Sequence, residues 1–151
     1  MITVNGFDEL KTLAGRDLGH SSWLEVTQER VDQFADATGD HQWIHVDVER
    51  AKTGPFGGTI AHGYLTLSLV IPFFSEMLVV EGLKMGVNYG LDKVRFPSPV
   101  RVGSKIRLAA RVDSIDEVAN RCVQMALDFT VEIDGVDKPA CVARPLYRYY
   151  A

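Results

Sequence analysis

Ile60-Ala61-His62-Gly63-Tyr64-Leu65-Thr66-Leu67-Ser68-Leu69-Val70-Ile71-Pro72-Phe73-Phe74-Ser75-Glu76-Met77-Leu78-Val79-Val80 is the most apolar part of this 151-residue chain, and how it folds decides what the rest must do. Read as a helix, its Tyr64–Val80 part spans roughly 25 Å at 1.5 Å per residue. It is apolar on nearly every face, so other elements must wrap it on several sides. Pro72 should end, kink or bend it. Pro72, Ser75 and Glu76 interrupt the run, which favours a buried helix over a membrane span.

Downstream the apolar period changes to two. Met85, Val87, Tyr89 and Leu91 alternate with smaller or polar residues, and the phase then slips to Val94 and Phe96, which predicts a bulge or bend between Gly90 and Lys93. Ile106, Leu108, Ala110 and Val112 alternate next. Val123, Met125, Leu127, Phe129, Val131 and Ile133 form the cleanest strand pattern, followed by an Asp134-Gly135 hairpin signal and a last strand over Ala140–Tyr149. Upstream, Phe7–Ala14 reads as a short helix and Ser22–Val26 as a short strand. Thr27 caps a helix that begins at Gln28, buries Val31, Phe34, Ala35 and Thr38, and stops at Gly39. Val46–Ala51 reads as a short helical turn and Lys52–Thr59 as a glycine-dense loop. Helical pieces, one long apolar helix and then strands on short connections define an α+β fold. The expected architecture is one domain over 1–151, with a curved antiparallel sheet wrapped around a long central helix.

Apolar residues make up 46% of the chain, charged residues 24%, and the net charge is −4. This is a globular composition, and its mild acidity argues against nucleic acid as a partner. The first residues, Met1-Ile2-Thr3-Val4-Asn5-Gly6, show neither a basic start nor a long apolar run, so no secretory signal is expected. Cys122 and Cys141 lack metal or redox spacing, and packed thiols in a reduced, cytoplasmic protein are the expectation. Gly57-Gly58 lacks the lysine and spacing of a phosphate loop, and no motif calls for a cofactor or a metal.

The residues that carry chemistry cluster in Phe34-Ala35-Asp36-Ala37-Thr38-Gly39-Asp40-His41-Gln42-Trp43-Ile44-His45. Asp40 and His45 follow the end of a helix, on a turn where side chains can be aimed freely. Their ordinary pKa values, about 3.9 and about 6.5, suit acid–base work. His62-Gly63 opens the central helix. A glycine there has a free N–H and no side chain to block a carbonyl oxygen. His62 reads equally as a helix cap or as part of a site. His41-x-x-x-His45 with Asp40 and Asp47 has the residue types of a metal site, without further His or Cys to complete it.

Thr38-Gly39-Asp40-x-Gln42-x-Ile44-His45-x-Asp47 resembles the Asp-x-Asn-Pro-x-His signature of MaoC-like (R)-specific enoyl-CoA hydratases. Ile60-Ala61-His62-Gly63-Tyr64-Leu65 resembles their His-Gly helix start, and Asn88-Tyr89-Gly90-Leu91-Asp92-Lys93-Val94-Arg95-Phe96-Pro97 a characteristic strand. The resemblance runs from about Ser22 to Arg148 and implies a hotdog fold paired as a homodimer. It implies catalytic roles for Asp40 and His45, the thioester carbonyl against the backbone N–H of Gly63, and acyl-CoA bordered by Ile60, Ala61, His62, Gly63, Gly86, Val87, Asn88 and Tyr89. The reaction implied is reversible syn addition of water to a trans-2-enoyl-CoA, giving the (R)-3-hydroxyacyl-CoA. Gln42-Trp43 stands where the family has Asn-Pro, which exchanges a rigid turn for bulk and bears on acyl-chain preference. Two other readings are a hotdog acyl-CoA thioesterase, for which Glu76 is the only acid on the central helix, and a non-catalytic acyl-CoA-binding or assembly subunit. Lys93, Arg95, Arg101, Lys105, Arg107 and Arg111 form a basic strip able to attract CoA phosphates or to lie along a solvated strand face, with Arg95 a candidate buried cation.

Overall fold

The structure is a computed structural model and describes residues 1–118 and 121–151. Its frame is an antiparallel sheet of β2 (Asp17–His20), β3 (Leu24–Glu25), β5 (Met85–Arg95), β6 (Lys105–Val118), β7 (Cys122–Ile133) and β8 (Val136–Tyr150). The path across it is β2-β6-β7-β8-β5, with β3 also on β6. The inward positions of β6 and β7 are those of the period-two pattern: Ile106, Leu108, Val112, Val123, Met125, Leu127 and Val131 are fully buried. Gly135 makes the β7–β8 turn at φ 74°, a backbone conformation glycine adopts without strain. The phase slip in β5 appears as two register shifts against β8, at Asn88/Gly90 and at Leu91/Val94.

Against the buried face of the sheet packs the apolar element, but it is not one helix. It forms α5 (Gly63–Ser68) and α6 (Val70–Met77) and then strand β4 (Leu78–Glu81). Leu65, Leu69, Val70, Phe73, Phe74 and Met77 face the sheet core. The break at Leu69 follows from Pro72. Its nitrogen has no hydrogen to give the Ser68 carbonyl, and its ring crowds that carbonyl. The expected helix through Val80 is therefore too long. Leu78, Val79 and Val80 instead pair in parallel with β1 (Ile2–Asn5), which pattern reading had not marked as a strand. Partnering a remote segment lets β-branched valines take the extended backbone they favour.

Helix α1 (Gly6–Lys11) is shorter than expected, its last residues forming turns. Helix α2 (Gln28–Thr38) has the bounds its caps imply: Thr27 accepts from the Arg30 N–H at 3.2 Å, and Gly39 closes it at φ 78°. Two short helices follow, α3 (Trp43–Val46) and α4 (Val48–Ala51), so His45 sits on a helical turn rather than in irregular chain. The basic strip does not assemble. Lys93 and Arg95 lie on β5 at one edge of the sheet, whereas Lys105, Arg107 and Arg111 lie on β6 near the other. Arg95 is exposed and is not a buried cation; its guanidinium donates to the Val94 carbonyl. Arg107 pairs with Glu132, and Arg111 lies 3.8 Å from Asp128. Among the described residues no helix is long and apolar enough to cross a membrane.

Candidate functional site

The turn after α2 and the start of α5 meet. Gly39 reverses the chain in the left-handed region, and Asp40 then closes a small turn in which its Oδ1 accepts from the Gln42 N–H at 3.3 Å. Its carboxylate remains half-exposed. One turn of α3 later, His45 points inward and is 6% exposed. His45 Nδ1 lies 2.7 Å from the Ile60 carbonyl. A carbonyl only accepts, so the hydrogen is on Nδ1 and Nε2 carries a free lone pair. Burial, ahead of the opposing pull of the Ile60 carbonyl, and then the facing His62 hold the His45 pKa below its usual value. This imidazole is kept neutral, with its Nε2 lone pair available to take a proton. Gln28 braces the segment: its amide donates to the His45 carbonyl at 2.7 Å and accepts from the Thr59 hydroxyl at 2.6 Å.

His62 occupies the residue before α5, but its side chain makes no cap bond there. It is 3% exposed, and its ring stacks on His45 with centroids 3.8 Å apart and planes tilted by 23°. Its Nε2 donates to the backbone carbonyl of Asp40 at 2.9 Å. Gly63 opens α5, and as its first residue has an N–H without an intrahelical partner. A Cβ on Gly63 would lie 3.1 Å from the Phe96 ring, so the aromatic covers the space a side chain would use.

One polar-group atom each from Asp40, His45 and His62 lie within 4.8 Å of one another. As a metal site the trio fits poorly. The rings are stacked, with centroids 3.8 Å apart and planes tilted by only 23°, so their in-plane lone pairs run alongside one another, whereas a shared metal must sit about 2.0–2.1 Å from each nitrogen near both ring planes. The other arrangement considered, His41 and His45 with Asp40 and Asp47, is not formed. His41 turns to Asp36 at 2.9 Å, and Asp47 caps α4 through the Arg50 N–H at 3.0 Å.

A cleft of about 340 Å³ opens beside the pair. His45, Ile60, Ala61 and Gly63 line it with Phe56, Thr66, Phe96 and Ala140 among others. His62 does not line it; it lies behind His45. Gly86, Val87 and Asn88 border a different cleft with Ile71 and Tyr149, and Tyr89 is exposed beneath the Arg148 guanidinium at 3.3 Å. Within one chain this group therefore lines a cleft other than the one His45 and Gly63 line. Trp43 also stands outside the cleft, against Gly54 and under the Arg50 guanidinium at 4.2 Å. Glu76 is held at Ser22, whose N–H and hydroxyl donate to it at 3.0 and 2.7 Å and lower its pKa. Pattern reading missed the bracing role of Gln28, since a glutamine in the first turn of a helix is unremarkable until its neighbours are known.

Comparison with known proteins is consistent with this picture. The family model described as MaoC like domain matches residues 9–133. A "3-hydroxyacyl-thioester dehydratase Z" of Mycobacterium tuberculosis is 50% identical over 151 residues, covering 100% of both chains. The "Nodulation protein N" of Rhizobium leguminosarum bv. viciae is 47% identical over 131 residues, 85% of this chain and 81% of that one. Two solved structures share the fold at low identity. An (R)-hydratase from A. caviae has a TM-score of 0.72 at 22% identity, covering 89% of this chain and 94% of that one. A MaoC-like dehydratase from Rhodospirillum rubrum has a TM-score of 0.73 at 18% identity, covering 91% and 92%. With a family model across most of its length and a relative identical at half of all positions, the chain belongs to the MaoC-like dehydratase family, as a hydro-lyase of the hotdog fold.

Proposed function

We propose that the protein is an (R)-specific enoyl-CoA hydratase, catalysing reversible syn addition of water to a trans-2-enoyl-CoA to give the (R)-3-hydroxyacyl-CoA. The carrying observation is a cleft lined by a neutral His45 and by Gly63, whose N–H has no partner among the described residues, with the Asp40 carboxylate within 4.8 Å of the imidazole. A separation of 4.8 Å or less between acid and imidazole atoms suits one water bonded to both at about 2.8 Å each. In the hydration direction the oxygen of that water bonds to C3 as His45 draws off a proton, and the proton reaches C2 by way of Asp40 on the same face. One water supplies both the hydroxyl and the C2 hydrogen, so the pair ends with its original protons. The Gly63 N–H stabilises the negative charge that develops on the thioester oxygen. Dehydration is the same path reversed. Glu76, engaged by Ser22 on a later turn of the helix, leaves the thioesterase reading without its acid.

The working unit is a homodimer built on 1–151 as one domain. Among the described residues strand β5 ends the sheet path, and Met85, Val87, Tyr89 and Leu91 stand exposed on it, with Ile71 lining a cleft beside Val87 and Leu91. Such an edge pairs readily with another strand, and a second copy would cover it. Gly86–Tyr89 then border bound acyl-CoA at the interface.

The test is hydration of enoyl-CoAs of graded length, with chiral product analysis, for the wild type, Asp40→Asn and His45→Ala. Loss of roughly 10²–10⁴-fold in kcat for each variant and an R product are expected. An S product, or variants within a few-fold of wild type, would overturn the assignment. Thiol release in place of hydration would restore the thioesterase reading.

A further inference from the structure

His62 is a buried polar ring that the proposed reaction does not use. It lies behind His45 rather than in the cleft, and it makes no cap bond to its own helix. Its Nε2–H is engaged by the Asp40 carbonyl at 2.9 Å, so Nδ1 carries the lone pair, and that atom is buried with no partner among the described residues. Phe34 packs against the same ring, with centroids 4.9 Å apart. A hydrocarbon of similar shape would fill this space without burying an unsatisfied acceptor. The polar ring therefore does something that packing alone does not require.

We propose that His62 is a positioning residue: its Nε2–H fastens the Asp40 turn to the start of α5, and its face fixes the plane of the His45 imidazole. One side chain then holds acid, base and Gly63 in a common frame. The covalent geometry makes this direct, because His62 and Gly63 are joined by a peptide bond. Without the bond to its carbonyl, Asp40 would hang from an exposed turn whose other restraints are long, the 3.3 Å contact to Gln42 and a 3.4 Å contact from its own N–H to the Thr38 hydroxyl. The stack acts on His45 in the same sense, since among the described residues that ring otherwise has only the Ile60 carbonyl to bond to. The titratable groups facing His45 are His62 and Asp40; Asp32 meets the cluster only through the Gln28 amide. The facing imidazole also disfavours a proton on His45, after the larger effect of burial.

This role rests on the reaction proposed above for its kinetic reading but not for its spectroscopic one. His62→Phe keeps an aromatic face and loses the donor. His62→Gln loses the ring and keeps an amide N–H that reaches the Asp40 carbonyl. For His62→Phe we expect kcat to fall roughly 10²-fold, the scale of a misplaced catalytic group, with KM within a few-fold and thermal unfolding near wild type. His62→Gln should recover at least tenfold of that loss, and its His45, followed by NMR, should titrate at higher pH than in the wild type. A folded His62→Phe with wild-type kcat, or equal losses in the two variants, would overturn the proposal. If His62→Phe does not fold, His62→Gln decides: an unmoved His45 titration sinks the idea, and a raised one supports it. A wild type that hydrates no enoyl thioester would remove the proposed reaction, while the His45 titration would still report on His62.

Discussion

Gly63 offers a way to remove one hydrogen atom and little else. As the first residue of α5 it is where proline is best tolerated in a helix, because the missing N–H has no intrahelical partner there. A residue before proline must be extended, and His62 already is, at φ −61° and ψ 138°. Gly63→Pro therefore deletes the proposed oxyanion donor without unwinding the helix. Its added carbon meets the Phe96 ring at 3.1 Å, but Gly63→Ala places a Cβ at the same point and keeps the N–H, so the comparison of the two cancels that contact. Phe96 is 42% exposed and has room to yield. The N–H itself should be worth about 2.7–4 kcal/mol, or roughly 10²–10³ in kcat. The assay is loss of enoyl-CoA absorbance at saturating substrate, with thermal unfolding run in parallel. Proline and alanine variants with kcat values within threefold of each other, both folded, would refute the assignment of Gly63 as the donor.

Four further expectations concern the site and its surroundings. Gln28→Leu strands the His45 carbonyl and the Thr59 hydroxyl, and should cost about 1–3 kcal/mol of stability by denaturant unfolding while lowering kcat. Because burial holds His45 below its usual pKa, kcat/KM should stay level through neutral pH and fall only as acid protonates the ring. The stability effect has the same sign: the unfolded chain takes up the proton first, so folding weakens as pH drops below about 6.5, and His45→Phe should flatten that part of the curve in melts at graded pH. Cys141, 1% exposed with its thiol pushed up to about 11 by burial, should resist thiol reagents in the native protein and label fully only on unfolding.

Much of this protein is legible without coordinates. Caps at Thr27 and Gly39 and the alternation from Val123 to Ile133 are local signals with local causes, and the elements they mark form with those bounds. Burial selects apolar side chains at the period of the element, so a sheet closed over an apolar helix could be read directly. The fate of Leu78–Glu81 could not. The same valines satisfy a buried helix or a strand, and only the pairing with Ile2–Asn5, more than seventy residues away, decides between them.

The site divides in the same way. Sequence alone marked the residues proposed to carry the chemistry: an acid and an imidazole after a helix stop, and a glycine at a helix start. Their residue types and spacing are one-dimensional facts. Tertiary structure decided how they are joined. The Ile60 carbonyl that sets the His45 tautomer, the His62 face stacked on it, the bond from His62 to Asp40 and the brace from Gln28 all connect segments brought together by folding. Tertiary structure also separated what the sequence had grouped, leaving Gly86–Tyr89 on an open sheet edge and the basic residues on opposite sides of the sheet. Hydrogen bonds and burial act at distances of a few ångströms in space, and no pattern along the chain encodes those distances until the core has closed.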